Sequence, residues 1–156
     1  MSLSHIDQDG RARMVDVSDK EISARVAVAC GKIRLSQEAF AAVSEGGGPK
    51  GDVLSTAEIA GVMAAKRTSD LIPLCHPLVL DKVTVEAELD TDIPGVTVTA
   101  SVKNRGRTGV EMEALTAVGV ALLTVYDMTK AMGHEMEIFG IQLLEKSGGA
   151  GGNWKR

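Results

Sequence analysis

Residues 65–78 read A-K-R-T-S-D-L-I-P-L-C-H-P-L. This stretch places two cations, a carboxylate, a thiol and an imidazole between an apolar helix and two prolines. Pro73 and Pro77 fix φ and push Ile72 and His76 toward extended backbone, so the preceding helix must stop before Ile72. Rigid backbone carrying polar side chains is what holding a ligand requires. A plain helix-to-strand connection with basic residues near a helix end accounts for the stretch equally well. Two further clusters could do chemistry: Glu111-Met112-Glu113 at the start of a long helical pattern, and Tyr126-Asp127-Met128-Thr129-Lys130 near its end. Acidic residues in a first turn suit the helix dipole alone. Asp127 and Lys130 are three apart and could simply pair in solvent. The apolar turns before them point instead to partial desolvation, which would pull the lysine pKa down toward acid–base use.

Spacing adds a constraint. Glu113 and Asp127 are fourteen residues apart on one helix, so their Cα atoms lie roughly 21 Å apart at 1.5 Å per residue. If both line one small-molecule site, they come from different subunits. A metal centre is disfavoured, because His5, His76 and His134 are scattered and the adjacent Cys75-His76 suits neither zinc spacing nor a helical pair. A phosphate loop is rejected at residues 46–51: Lys50 precedes Gly51 and no strand leads directly in, although Lys50 could still swing onto a ligand.

The elements that must position these groups follow from periodicity. Residues 21–34 alternate as a long strand, with Ile22, Ala24, Val26, Val28 and Cys30 on one face and Ser23, Arg25, Ala27, Ala29, Gly31 and Ile33 on the other. Arg25 is then a lone cation among small residues, either reaching solvent at the sheet edge or facing an anion. Ser36 caps a helix over 37–44 and Asp52 one from 53 to about 69, with a small-residue face at Leu54, Ala57, Gly61 and Ala64. Strands are expected over 79–89 and 96–102 as an antiparallel hairpin, followed by a basic loop over 103–109. A helix over 111–132 and a strand over 136–145 complete the domain. Merging the two consecutive helices gives β-α-β-β-α-β, an α+β, ferredoxin-like arrangement with one antiparallel sheet and helices on one face. The 156 residues form one domain, with mobile ends over about 1–13 and 147–156.

Composition narrows the classes. A net charge of −4 and 3% aromatics argue against nucleic-acid binding. The longest nearly apolar run, residues 114–125, is short of a membrane span, and the start lacks a secretory pattern. Cys30 and Cys75 form no C-x-x-C pair, and reduced thiols in the cytoplasm are the simplest account. A core short of aromatics and a helix apolar nearly all round predict an oligomer.

The chain resembles the cyclic pyranopterin monophosphate synthase family, also called molybdenum cofactor biosynthesis protein C. The longer segments are D-L-I-P-L-C-H-P-L (residues 70–78), T-G-V-E-M-E-A-L-T (108–116) and Y-D-M-T-K (126–130). M-V-D-V-S (14–18), K-G-D-V (50–53), A-A-K-R-T (64–68) and L-L-E-K-S-G-G (143–149) also fit, so the likeness runs from about His5 to Gly149. It implies a lyase that converts 3′,8-cyclised 7,8-dihydro-GTP to cyclic pyranopterin monophosphate and pyrophosphate. The assembly it implies is a homohexamer, a trimer of dimers with sites between subunits. Carried over by motif, Asp127, Lys130, Lys50 and His76 are the expected catalytic residues. Leu74, Cys75, His76, Met112 and Glu113 are expected to bind substrate, with Arg25 and Lys146 in a basic triphosphate pocket. No cofactor or metal is implied. The expected partners are the nucleotide-derived substrate, further copies of the chain and transient contact with the upstream radical enzyme, with neither nucleic acid nor membrane. A regulatory ligand-binding module and a purely structural oligomer are the competing classes. The three polar clusters speak against the first and the rigid P-L-C-H-P loop against the second.

Overall fold

The computed structural model describes Ile6 and residues 9–156. Expectations about the other N-terminal residues, including His5, lie outside the described residues.

Strand β1 (Ser23–Arg34) runs through the middle of the sheet. Its alternation turns Ala27, Ala29, Gly31 and Ile33 into the core and leaves Val26, Val28 and Cys30 half-buried on the opposite face. Helix α1 (Gln37–Ser44) begins where Ser36 Oγ accepts from the Ala39 amide at 3.1 Å. Helix α2 (Val53–Ala65) begins where Asp52 accepts from the Ser55 amide at 3.1 Å. Each cap satisfies an amide that the first turn leaves without an intrahelical partner. The expected single helix to residue 69 is instead two: α2 stops at Ala65, and a one-turn α3 (Thr68–Leu71) follows. Buried Thr68 donates its hydroxyl to the carbonyls of Ala64 and Ala65, fixing the break, and Ile72 is extended as Pro73 requires.

Strands β2 (Lys82–Asp90) and β3 (Gly95–Gly106) form the expected hairpin. β3 runs on through Lys103-Asn104-Arg105, which sequence reads as loop. Its pairing with β1 extends from Gly95↔Arg34 to Gly106↔Ser23, and the ladder carries the charged residues as strand. Helix α4 (Glu111–Thr129) ends in a 3-10 turn (Lys130–Met132), and β4 (Glu137–Ser147) returns along β1. Gly148–Gly152, read from sequence as a mobile tail, turns the chain back so that β5 (Trp154–Lys155) pairs with β4. Every pairing is antiparallel, in the order β2-β3-β1-β4-β5, and the helices lie on one side of the sheet.

The core lies between sheet and helices. It is built from small residues, with Ala114, Ala117, Val118, Ala121 and Leu122 of α4 fully buried. Gly31 lets α4 approach closely: a Cβ there would sit 2.8 Å from Val118 Cγ1 and 2.9 Å from Leu122 Cδ1. Residues Glu111–Met132 have the length, and a mean hydropathy of 1.2, of a membrane-crossing helix. They spend that apolarity on packing against β1, β3 and α2. The far side of the helix layer stays uncovered, with Leu123 59% exposed and Ile59 and Met63 exposed on α2. On the β2 edge, the outward amide of Ala87 donates to Glu58 Oε1 of α2 at 3.0 Å.

Candidate functional site

The charged clusters gather at the two ends of α4. At its N-terminal end, Leu74, Cys75 and His76 face Met112 and Glu113 across a cleft of about 280 Å³. The prolines and a bond from the Cys75 amide to Ile72 O (3.1 Å) hold the loop rigid. Glu113, in the first turn, is only 4% exposed. Burial, with the like charge of Glu111 adding to it, pushes its carboxyl above the usual range. Burial and the field of Glu113 likewise raise the Cys75 thiol, so it is not an activated nucleophile. His76 Nε2 donates to Val15 O at 2.7 Å, because a carbonyl can only accept. The cleft therefore has an unexpected wall, the segment carrying Val15, Val17 and Lys20. The Met14-Val15-Asp16-Val17-Ser18 motif carries no sign in sequence of a place at the site, and for Glu111 the sequence leaves open whether the helix dipole alone accounts for it. Glu111 in fact lines the cleft and accepts from Lys146 Nζ at 3.1 Å.

Beside this cleft, and sharing Lys20 with it, a second hollow is lined by Ser23, Arg25, Gly149 and Ala150. Arg25 is half-buried, on the central strand of the sheet. Its Nε donates to Gly106 O (3.4 Å) and its Nη2 to Arg107 O (3.2 Å), and the guanidinium packs directly on Gly149. Gly149 has φ +73°, and a side chain there would collide with Arg25. Among the described residues, Asn104 Oδ1 and Ser23 Oγ are buried without hydrogen-bond partners. They flank Arg25 in the sheet, Asn104 as its register partner in β3.

At the other end of α4, Asp127 holds both lysines expected beside it. Lys130 Nζ donates to Oδ1 at 2.6 Å and Lys50 Nζ to Oδ2 at 2.8 Å, with Lys50 also 3.3 Å from Asp127 O. The lysine ahead of Gly51 has thus swung onto a carboxylate of the same chain. The two lysines, Lys130 first, hold the Asp127 carboxyl at about 2. Lys130 is pushed up by Asp127 rather than down, which corrects the expected direction. The Asp127 side chain is 54% exposed in the isolated chain, so its charge favours the lysine cation more than desolvation opposes it.

Fourteen residues are just under four helical turns, so Glu113 and Asp127 lie on nearly the same face of α4, roughly 21 Å apart. A general acid or base must come within about 3 Å of its proton. Within one chain, the lysine–aspartate group and the cleft therefore cannot act on the same atoms. Lys66 and Lys82 border another hollow with Leu80 and Asp81, which shares Leu78 with the cleft. Among the described residues, no three His, Cys, Asp or Glu side chains are placed to hold a metal ion.

An α+β domain that sets a rigid, half-buried acid–thiol–imidazole cleft and a paired lysine–aspartate group along one helix has the arrangement of an enzyme. The chain belongs to the MoaC family, whose model matches residues 14–149. Among its curated relatives, the cyclic pyranopterin monophosphate synthase of Cereibacter sphaeroides (strain KD131) is 59% identical over 153 residues, covering 98% of this chain and 96% of the relative. The cyclic pyranopterin monophosphate synthase of Brucella ovis is 58% identical over 152 residues, covering 97% and 92%.

Proposed function

We propose that the chain converts 3′,8-cyclised 7,8-dihydro-GTP to cyclic pyranopterin monophosphate with release of pyrophosphate, an early step of molybdenum cofactor biosynthesis. The observation that carries this reading is the Lys50–Asp127–Lys130 group, built from two of the family-like motifs. Near-full-length relatives named for that product support it. Rearranging a purine-derived ring and closing a cyclic phosphate needs proton transfers in both directions, and the leaving pyrophosphate needs cations. Asp127, Lys50 and Lys130 supply the exchangeable protons. Leu74, Cys75, His76, Met112 and Glu113 hold the ring portion, and Arg25 with Lys146 receives the triphosphate. His76 belongs with the catalytic set through the nitrogen that does not face Val15.

The reading places each active site between subunits, the lysine–aspartate group of one facing the cleft of another. The span along α4 supports this, as do the uncovered Leu123, Ile59 and Met63, which suit a homohexamer. The antiparallel order β2-β3-β1-β4 supports a ferredoxin-like fold with β5 appended. Both cysteines are free thiols, which fits a cytoplasmic setting.

The test is pyrophosphate release from the cyclised nucleotide by the wild type beside Asp127→Ala, with oligomer mass recorded for both. Release by the wild type and none by an equally assembled variant is the expected result. Binding without turnover by a correctly assembled wild type would make the protein a ligand-binding module instead.

A further inference from the structure

We infer that His76 is also a latch: through its Nε2–H on Val15 O it docks residues 14–20 as a strap that forms one wall of the substrate cleft. The inference about the strap's role in substrate binding rests on the proposed function; the docking itself does not. Val15, Val17 and Lys20 line the cleft together with Cys75 and Glu113, and a second hollow takes in Met14, Asp16, Ser18 and Arg107 while sharing Val15, Val17 and His76 with the cleft; Val15 and Val17 are half-buried, and Met14, Asp16 and Ser18 are exposed. The strap therefore lies between cleft and solvent. It has little packing of its own. Asp16 Oδ1 closes a tight turn on the Ser18 amide (2.9 Å), the Lys20 amide donates to Val17 O (3.1 Å), and Arg107 Nε holds Lys20 O at 3.1 Å. Toward the cleft loop, the strap accepts a hydrogen bond from His76 at 2.7 Å.

The bond also fixes what the imidazole can offer. With Nε2 committed as a donor, Nδ1 makes no hydrogen bond among the described residues, and in the neutral ring it carries the lone pair. His76 therefore meets the substrate as an acceptor or base at Nδ1, and as a donor there only when the ring is cationic. A neutral His76 acting as an acid at Nε2 would have to release the strap first.

The experiment is amide hydrogen exchange at Ser18 and Lys20 in the intact, substrate-free protein, for the wild type, His76→Asn and His76→Gln. A glutamine amide nitrogen reaches about as far as Nε2 and an asparagine amide only as far as Nδ1. Asparagine should lose the latch and glutamine keep it. We expect exchange about fivefold to tenfold faster in His76→Asn, the worth of one net hydrogen bond, and near wild-type exchange in His76→Gln. Unchanged amides at Ala29 and Ala100 will show that the core strands are intact. Unchanged exchange at Ser18 and Lys20 in His76→Asn would overturn the latch. In turnover, the KM of His76→Asn should rise above that of His76→Gln. Equal KM values with altered exchange would overturn the strap as a wall of the substrate site. If the wild type fails to turn over the cyclised nucleotide, the proposed function falls, and the exchange pattern still decides the latch.

Discussion

Mixing two inactive variants separates a site shared between subunits from one contained in a single chain. Asp127→Ala removes the carboxylate that orders Lys50 and Lys130, and leaves the cleft at the other end of α4 untouched. Glu113→Ala empties the cleft side and leaves the lysine–aspartate group intact. The two sites are fourteen residues apart on α4, roughly 21 Å, so the changes should not couple within a chain. Each alone should be inactive. If every site takes its cleft from one subunit and its lysine–aspartate group from another, random equimolar reassembly gives about one quarter of sites with both halves intact, by simple pairing across a symmetric interface. The assay is pyrophosphate release by the co-refolded mixture, with each variant refolded alone as control. Recovery near a quarter of wild-type activity is expected. A properly assembled mixture no more active than its parents would refute the distance argument and place the whole site in one chain.

Three further outcomes follow from the geometry. Leu122→Ala should cost about 2–5 kcal/mol of stability, and Gly31→Ala about 1–3 by overpacking. Leu122 Cδ1 lies 2.9 Å from where the new methyl would sit, so denaturant titration of the double variant should show a loss smaller than the sum. The Asp127 carboxyl should titrate at about 2 by carbon NMR. Its pairing is in place above the ordinary carboxylate value and lost as pH falls through about 2, and Lys50→Ala should move that midpoint up. Glu113 has the opposite sign: its raised folded-state pKa means that the native chain holds the proton more tightly, so stability falls as pH rises above the ordinary 4.5. Glu113→Gln should therefore gain on the wild type between pH 4 and pH 7 in thermal melts, and a gain that does not grow with pH would contradict the burial argument.

Much of the frame was legible in the chain because one physical signal dominated locally. The alternation of β1 assigned Ala27, Ala29, Gly31 and Ile33 to the core face, and Ser36 and Asp52 marked helix starts through their side-chain oxygens. What failed depended on distant partners. Lys103-Asn104-Arg105 looks like a loop until β1 pairs with it. Thr68 breaks α2 through a hydroxyl bond that no periodicity registers. At the site, Lys50, Asp127 and Lys130 were named from motif, and the structure brings them together. The direction of the Lys130 shift depends on helix face: Val125, Met128 and Thr129 are buried to the helix end, while Asp127 and Lys130 point away from them and stay half-exposed. The strap at Val15 and Val17 carried only a weak extended pattern, and its place at the cleft is set by a bond from a residue 61 positions away.

The treatment of the sheet's two borders bears on how copies of this chain can meet. A bare outer strand is a template onto which another chain can add, and uncontrolled addition ends in precipitate. On one border Glu58 occupies the outward amide of Ala87, and Glu86 and Glu88 repel an incoming neighbour. On the other, the returning C-terminus pairs with Glu145 and Lys146, and Arg156 takes the carbonyls of Leu143 and Leu144. Each border is thus blunted over part of its length, which disfavours open-ended growth by strand addition there. A closed assembly of the kind proposed would then have to form through the broad surfaces of the helix layer and the sheet, where contacts can close on themselves at a fixed number of copies.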